Sequence, residues 1–159
     1  MSIALNVRGT VYNYPSSGED PGWGGPATDW AEAVTQTLTL IIGPNDILQT
    51  SFSINNNQII SELVRGLYFN PTQVRAANIS YSVYRETALT TVVETGELLI
   101  TYDTAAPINE KWKITQRTNG EAGVLFTISD AGQFSYTSSN IAGTNYSGIM
   151  RFTARTLSI

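Results

Sequence analysis

The 159-residue sequence predicts a mainly β protein: an antiparallel β-sandwich or jelly-roll-like domain with an N-terminal strand, an extended arm and one short helix. Three observations carry this expectation. From Ile47 onward, apolar and polar residues alternate with period two, most clearly where Ala77, Ile79, Tyr81, Val83 and Arg85 interleave with Asn78, Ser80, Ser82 and Tyr84. Turn-forming clusters separate these runs at short intervals: Asn55 to Asn57, Asn70 with Pro71, Thr95 with Gly96, Ala106 with Pro107, Asn119 with Gly120, Asp130 to Gly132, and Gly143. Charged residues make up only 14% of the chain, against roughly 25% in an average soluble domain. A surface rich in Thr, Ser, Asn and Gly suits extended structure and protein contacts.

In chain order, Ile3, Leu5, Val7, Gly9 and Val11 alternate with Ala4, Asn6, Arg8, Thr10 and Tyr12, which reads as one short strand. Tyr14 to Pro26 follows as an arm, because Pro15, Pro21 and Pro26 with Gly18, Gly22, Gly24 and Gly25 oppose any regular element. Tyr14 and Trp23 are large apolar groups that a solvated tether would lack, and proline lowers the entropy lost on docking. The arm therefore reads as a binding segment. Asp29 and Glu32 have the form of a capping box, predicting a helix from Asp29 to Ile42 that Gly43 and Pro44 end. Its stripe of Trp30, Ala33, Val34, Thr37, Leu38 and Ile41 should pack on the body or on a partner subunit, since so short a helix is unstable alone. Strands are expected at Leu48 to Ile54, Ile59 to Phe69, Ala77 to Arg85, Thr91 to Glu94, Glu97 to Tyr102, Lys111 to Arg117, Val124 to Ile128, Gln133 to Thr137 and Ile149 to Leu157. The hairpin Val124 to Thr137 has the plainest turn. Residues 1–45 thus read as an appendage for docking or subunit contacts, and residues 46–159 as a β-sandwich domain.

The function classes narrow through absences. The chain has neither histidine nor cysteine, which removes the commonest general base, the thiolate nucleophile, disulfides and most transition-metal sites. Nine Lys and Arg against thirteen Asp and Glu leave a net charge of −4, opposed to tracking nucleic-acid phosphates or an anionic membrane. No run approaches the roughly 18 apolar residues of a membrane helix, and the start does not read as a signal peptide. Gly22, Gly24 and Gly25 lack the Lys and Ser/Thr of a phosphate-binding loop. Glu19 and Asp20 fall short of the oxygen ligands that an EF-hand cation site needs. Paired carboxylates could serve a glycosidase, but most acids stand at turns and strand ends. The expectation is no enzyme, no cofactor and no metal. Tyr81, Tyr84, Tyr102, Tyr136, Tyr146 and Trp112 read as core or subunit contacts, with a carbohydrate platform as the alternative.

The stretch Tyr14, Gly18, Glu19, Asp20, Pro21, Gly22, Trp23 and Gly24, followed by Ala27 to Val34, resembles an N-terminal motif of small tailed-bacteriophage virion proteins. Val74 to Ala77 with Ile79, Tyr81 and Tyr84, then Gly123 to Ile128, Gly132, Gln133, Tyr136 to Ser138, Gly143, Gly148, Arg151, Phe152, Ala154, Arg155 and Leu157, resemble the β domain of the same group. Gly24, Gly25 and Pro26 stand where an acidic residue often follows the Trp-Gly pair. The resemblance implies a structural component of the particle, made in the bacterial cytoplasm and located on the virion, forming a homotrimer. A capsid decoration (cement) protein bound to the major capsid protein leads, with a tail-fibre or adaptor trimer or a glycan-binding receptor module as alternatives. Tyr14, Pro15, Glu19, Asp20, Pro21, Trp23 and Trp30 are the partner-binding residues this reading expects.

Overall fold

The computed structural model describes residues 3–7, 10–14 and 24–158, and among these residues there are ten strands and one helix. Its packing divides into two compact units, Met1–Pro44 and Asn45–Ile159.

In the first unit, β1 (Ile3–Val7) and β2 (Thr10–Tyr14) pair antiparallel, with Val7 opposite Thr10. The single strand expected here is therefore a hairpin. The sequence alternation continues through Arg8 and Gly9, so period alone does not mark the reversal. Helix α1 spans Gly24–Ile41, 18 residues, and begins five residues before the expected start at Asp29. Pro26 is compatible with this because first-turn amides have no partner one turn back, so its missing N–H costs nothing. Asp29 and Glu32 are consequently exposed mid-helix residues and not a cap. Trp30, Ala33, Val34 and Thr37 are half-buried, as a packed stripe requires, whereas Leu38, expected on that stripe, is 53% exposed.

The second unit is a two-layer antiparallel sandwich. One sheet runs β3–β10–β5–β6–β7 and the other β4–β9–β8. The strands are β3 (Ile47–Ser53), β4 (Glu62–Tyr68), β5 (Val74–Glu86), β6 (Thr91–Tyr102), β7 (Trp112–Gly120), β8 (Val124–Ile128), β9 (Gln133–Ser138) and β10 (Ser147–Ser158). Alternation puts Val74, Ala77, Ile79, Tyr81 and Val83 of β5, Leu98 and Ile100 of β6, and Met150, Phe152 and Ala154 of β10 into the core. Val64, Leu67, Val124, Phe126, Phe134 and Tyr136 meet them from the smaller sheet. Edge-on ring pairs bridge the layers, Tyr81 with Phe126 at 5.3 Å and Phe52 with Tyr136 at 5.4 Å between centroids.

Two strand expectations need correction. Thr95 and Gly96 do not form a turn but lie within the continuous 12-residue β6. Gly96 is required because a Cβ there would stand 2.5 Å from the Arg117 carbonyl oxygen and 2.9 Å from the Tyr81 ring, so the glycine marks a close approach within the sheet. The strand expected from Ile59 begins only at Glu62, leaving Ile59 and Ile60 in a loop. Within β4 the pairing jumps from Leu63 opposite Ser135 to Tyr68 opposite Gln133, an irregularity that contains Gly66 at φ +86°.

Candidate docking surface

The sandwich has two loop-bearing ends. Asn45, Asp46 and the loops 69–73, 103–111 and 129–132 lie at the end where the chain enters β3. The far end carries loops 54–61, 87–90, 121–123 and 139–146. This far end is organised around Arg85, which occupies the last inward position of the β5 alternation and is 0% exposed. Its Nε donates to the Tyr146 hydroxyl at 3.1 Å and its Nη2 to Asn56 Oδ1 at 3.0 Å. Nη1 donates to the Ala122 carbonyl and Nη2 also to the Ser139 carbonyl. The guanidinium also lies over the Tyr146 ring, 5.7 Å from its centroid.

The counter-charge comes through one residue, Ala122. Glu94, 4% exposed on the neighbouring strand β6, accepts from the Ala122 amide at 2.8 Å, while the carbonyl of the same residue accepts from Arg85. Glu94 also accepts from the Tyr81 hydroxyl at 2.6 Å, and Gln116 donates to that hydroxyl at 2.8 Å. Burial first, and the adjacent carboxylate second, hold the Tyr81 phenol well above the ordinary tyrosine range. Buried cation and buried anion are thus both satisfied, which is the condition for carrying such charges in a core.

This cluster fixes the loops above it. Asn56 Oδ1 accepts from the Ile141 amide at 2.9 Å, and Asn56 Nδ2 donates to the Ile141 carbonyl at 2.9 Å. The Ser138 amide donates to the Gln58 carbonyl at 2.9 Å, the Ser139 amide to the Gly123 carbonyl at 2.8 Å, and the Ala88 amide to the Thr144 carbonyl at 2.8 Å. Gly123 is required at φ +65°, where a Cβ would overlap the Ser139 hydroxyl. On these fixed loops stand Ile59, Ile60 and Leu89, each between 74% and 78% exposed. Aliphatic side chains held out on hydrogen-bonded loops are preorganised for contact, because little loop entropy remains to be lost on binding.

The residues expected to bind partners are placed unevenly. Tyr14 ends β2 and Trp30 lies half-buried in α1; Pro15, Glu19, Asp20, Pro21 and Trp23 fall outside the described residues. The strand aromatics mostly pack: Tyr81, Trp112 and Tyr136 are buried, and Tyr102 and Tyr146 partly so. Tyr84, 38% exposed, donates to Glu86 at 2.8 Å. The polar cluster itself was missed by sequence reasoning. Its signal was Arg85, a charge in phase with Ile79, Tyr81 and Val83, which demands buried acceptors.

No family model matches the chain, and no curated protein matches it. Among solved structures, the tailspike protein of Acinetobacter phage vB_ApiP_P1 is similar at a TM-score of 0.42 and 13% identity, over 69% of this chain and 22% of that one. The chain therefore spans less than a quarter of that tailspike's length.

Proposed function

We propose that this chain is a structural protein of a tailed-bacteriophage particle, a homotrimer that sits on the capsid surface and cements neighbouring major-capsid subunits by binding, without catalysis. The observation that carries the docking role is the exposed pair Ile59 and Ile60 on the loop that buried Arg85 anchors through Asn56, with exposed Leu89 on a loop whose Ala88 amide bonds the Thr144 carbonyl. The resemblance of the Tyr14 to Val34 stretch to phage virion proteins supplies the particle. In this role each contact is modest. Linked engagement of several protomers makes the whole attachment strong, as multivalent binding requires.

Co-sedimentation with capsids lacking the protein tests the reading. The wild-type chain is expected to pellet with the shells, and a variant carrying Ile59→Ser, Ile60→Ser and Leu89→Ser to lose at least tenfold in affinity, the scale of interface anchors worth about 2 kcal/mol or more. Equal binding by the variant would remove the far end from the interface. Binding to tails in place of shells would replace the capsid location with a tail-fibre or adaptor role, and release of oligosaccharide from host polysaccharide would overturn the non-catalytic reading.

A further inference from the structure

Helix α1 carries two stripes. One is the half-buried set Trp30, Ala33, Val34 and Thr37. The other is exposed: Thr28, Ala31, Thr35, Leu38 and Ile42, spaced by three, four, three and four residues. That is the spacing of the a and d seam of a coiled coil, with Thr28, Thr35 and Ile42 at one position and Ala31 and Leu38 at the other. Ile42 stands one residue past the helix, but its amide still bonds the Leu38 carbonyl at 2.8 Å, so the geometry continues to it. The seam contains no charge, while Asp29, Glu32 and Gln36 flank it.

A second observation says that α1 is short of cover. Not one of its described side chains is fully buried. The described residues of the unit Met1–Pro44 form a hairpin and this helix, and so small a unit ordinarily depends on disulfides, a metal or association with other chains. The chain has no cysteine to form a disulfide.

We infer that the exposed seam of α1 packs against the same seam of other copies of this chain, forming a short helical bundle that joins protomers. The proposal rests on the reading above only in requiring several copies. Identical helices are the fitting occupant because an uncharged heptad seam is complementary to itself, and Glu32 at its margin would face Ala27 or Val34 of a parallel neighbour, so no like charges oppose.

The absence of cysteine makes the test direct, since one introduced thiol reports on one position. In the full-length chain, Ala31→Cys under mild oxidation is expected to give a disulfide-linked dimer at least tenfold faster than Gln36→Cys, and light scattering of the wild type to give a mass above one protomer. Leu38→Glu should reduce that mass to one protomer while leaving the sandwich's near-ultraviolet circular dichroism unchanged. Equal cross-linking of Ala31→Cys and Gln36→Cys, a monomeric wild type at 50 μM (a concentration of order 10⁻⁵ M, where specific interfaces are populated), or unchanged association of Leu38→Glu each overturns the proposal. Association through the seam without capsid binding would reject the virion role and leave the seam standing.

Discussion

The two ends of the sandwich solve the same problem, closing loops over a β core, by opposite means. At the end where the chain enters β3, four different side-chain acceptors share the work, Asn70 and Asp103 bonding within their own loops, Asp46 to β10 and Asp130 to the neighbouring loop. Asp46 takes the Thr156 amide at 2.7 Å, Asn70 the Thr72 amide at 3.0 Å, Asp103 the Ala105 amide at 3.0 Å, and Asp130 the Asn109 amide at 2.6 Å. At the far end, loops 54–61, 121–123 and 139–146 all bond to one guanidinium. Distributed caps fail one at a time. A shared buried donor makes loops fail together, because removing it strands several acceptors at once.

Arg85→Met should therefore have the largest effect, costing about 3–5 kcal/mol by removing the donor that Ala122, Ser139, Asn56 and Tyr146 share and by leaving buried Glu94 without its counter-charge. Urea unfolding measures the loss, and hydrogen exchange at the Ala122 and Ile141 amides should accelerate together. A loss below about 1 kcal/mol would show that the far loops hold themselves and would erase the contrast between the ends.

Tyr81→Phe is the intermediate case. Glu94 keeps the Ala122 amide at 2.8 Å but loses the phenol at 2.6 Å, for an expected cost of about 1–2 kcal/mol near neutral pH. The pH dependence sharpens the test. Because the folded-state pKa of Tyr81 is raised, its protonated form is favoured by folding. That stabilisation is complete below the unfolded tyrosine pKa of about 10 and is lost as pH rises above it. Wild type should lose stability more steeply than Tyr81→Phe above pH ~10 in parallel denaturant titrations. Parallel slopes would mean the phenol is not held un-ionised by the fold.

The smallest effect belongs to the entry end. Lys113 lies 3.7 Å from Asp103, with side-chain exposures of 68% and 46%, so Lys113→Ala should change the melting free energy by less than about 0.5 kcal/mol, and less again in high salt. A change rivalling that of Tyr81→Phe would contradict the view that this end is held by independent weak caps.

The comparison also explains what sequence pattern reveals. The sandwich was readable because burial imposes period two on β5, β8, β9 and β10, and because Asp130 and Gly132 mark the turn between β8 and β9. The extent of β6 was not, since Gly96 serves as a turn residue and as the clearance beneath Tyr81 with equal chemical ease. The start of α1 was hidden because Gly24, Gly25 and Pro26 are turn-formers whose cost vanishes in a first helical turn. Of the far-end surface, Arg85 was visible as a member of the β5 run, but its acceptors at Asn56, Ala122 and Ser139 lie 29, 37 and 54 residues away. Three-dimensional closure alone brings them together.

The place of β10 has a consequence for how the molecule is made. This strand follows all the others in sequence, yet it lies between β3 and β5, pairing Met150 with Phe52 on one side and with Val83 on the other. Until residues 147–158 have left the ribosome, β3 has no sheet neighbour, and the larger layer cannot close. The larger layer can then close only after β10 has been synthesised, and its closure is slow on the scale set by long-range pairing. A chain interrupted before Ser147 would expose both flanking edges to aggregation or proteolysis, so only chains extended through β10 would be available for assembly.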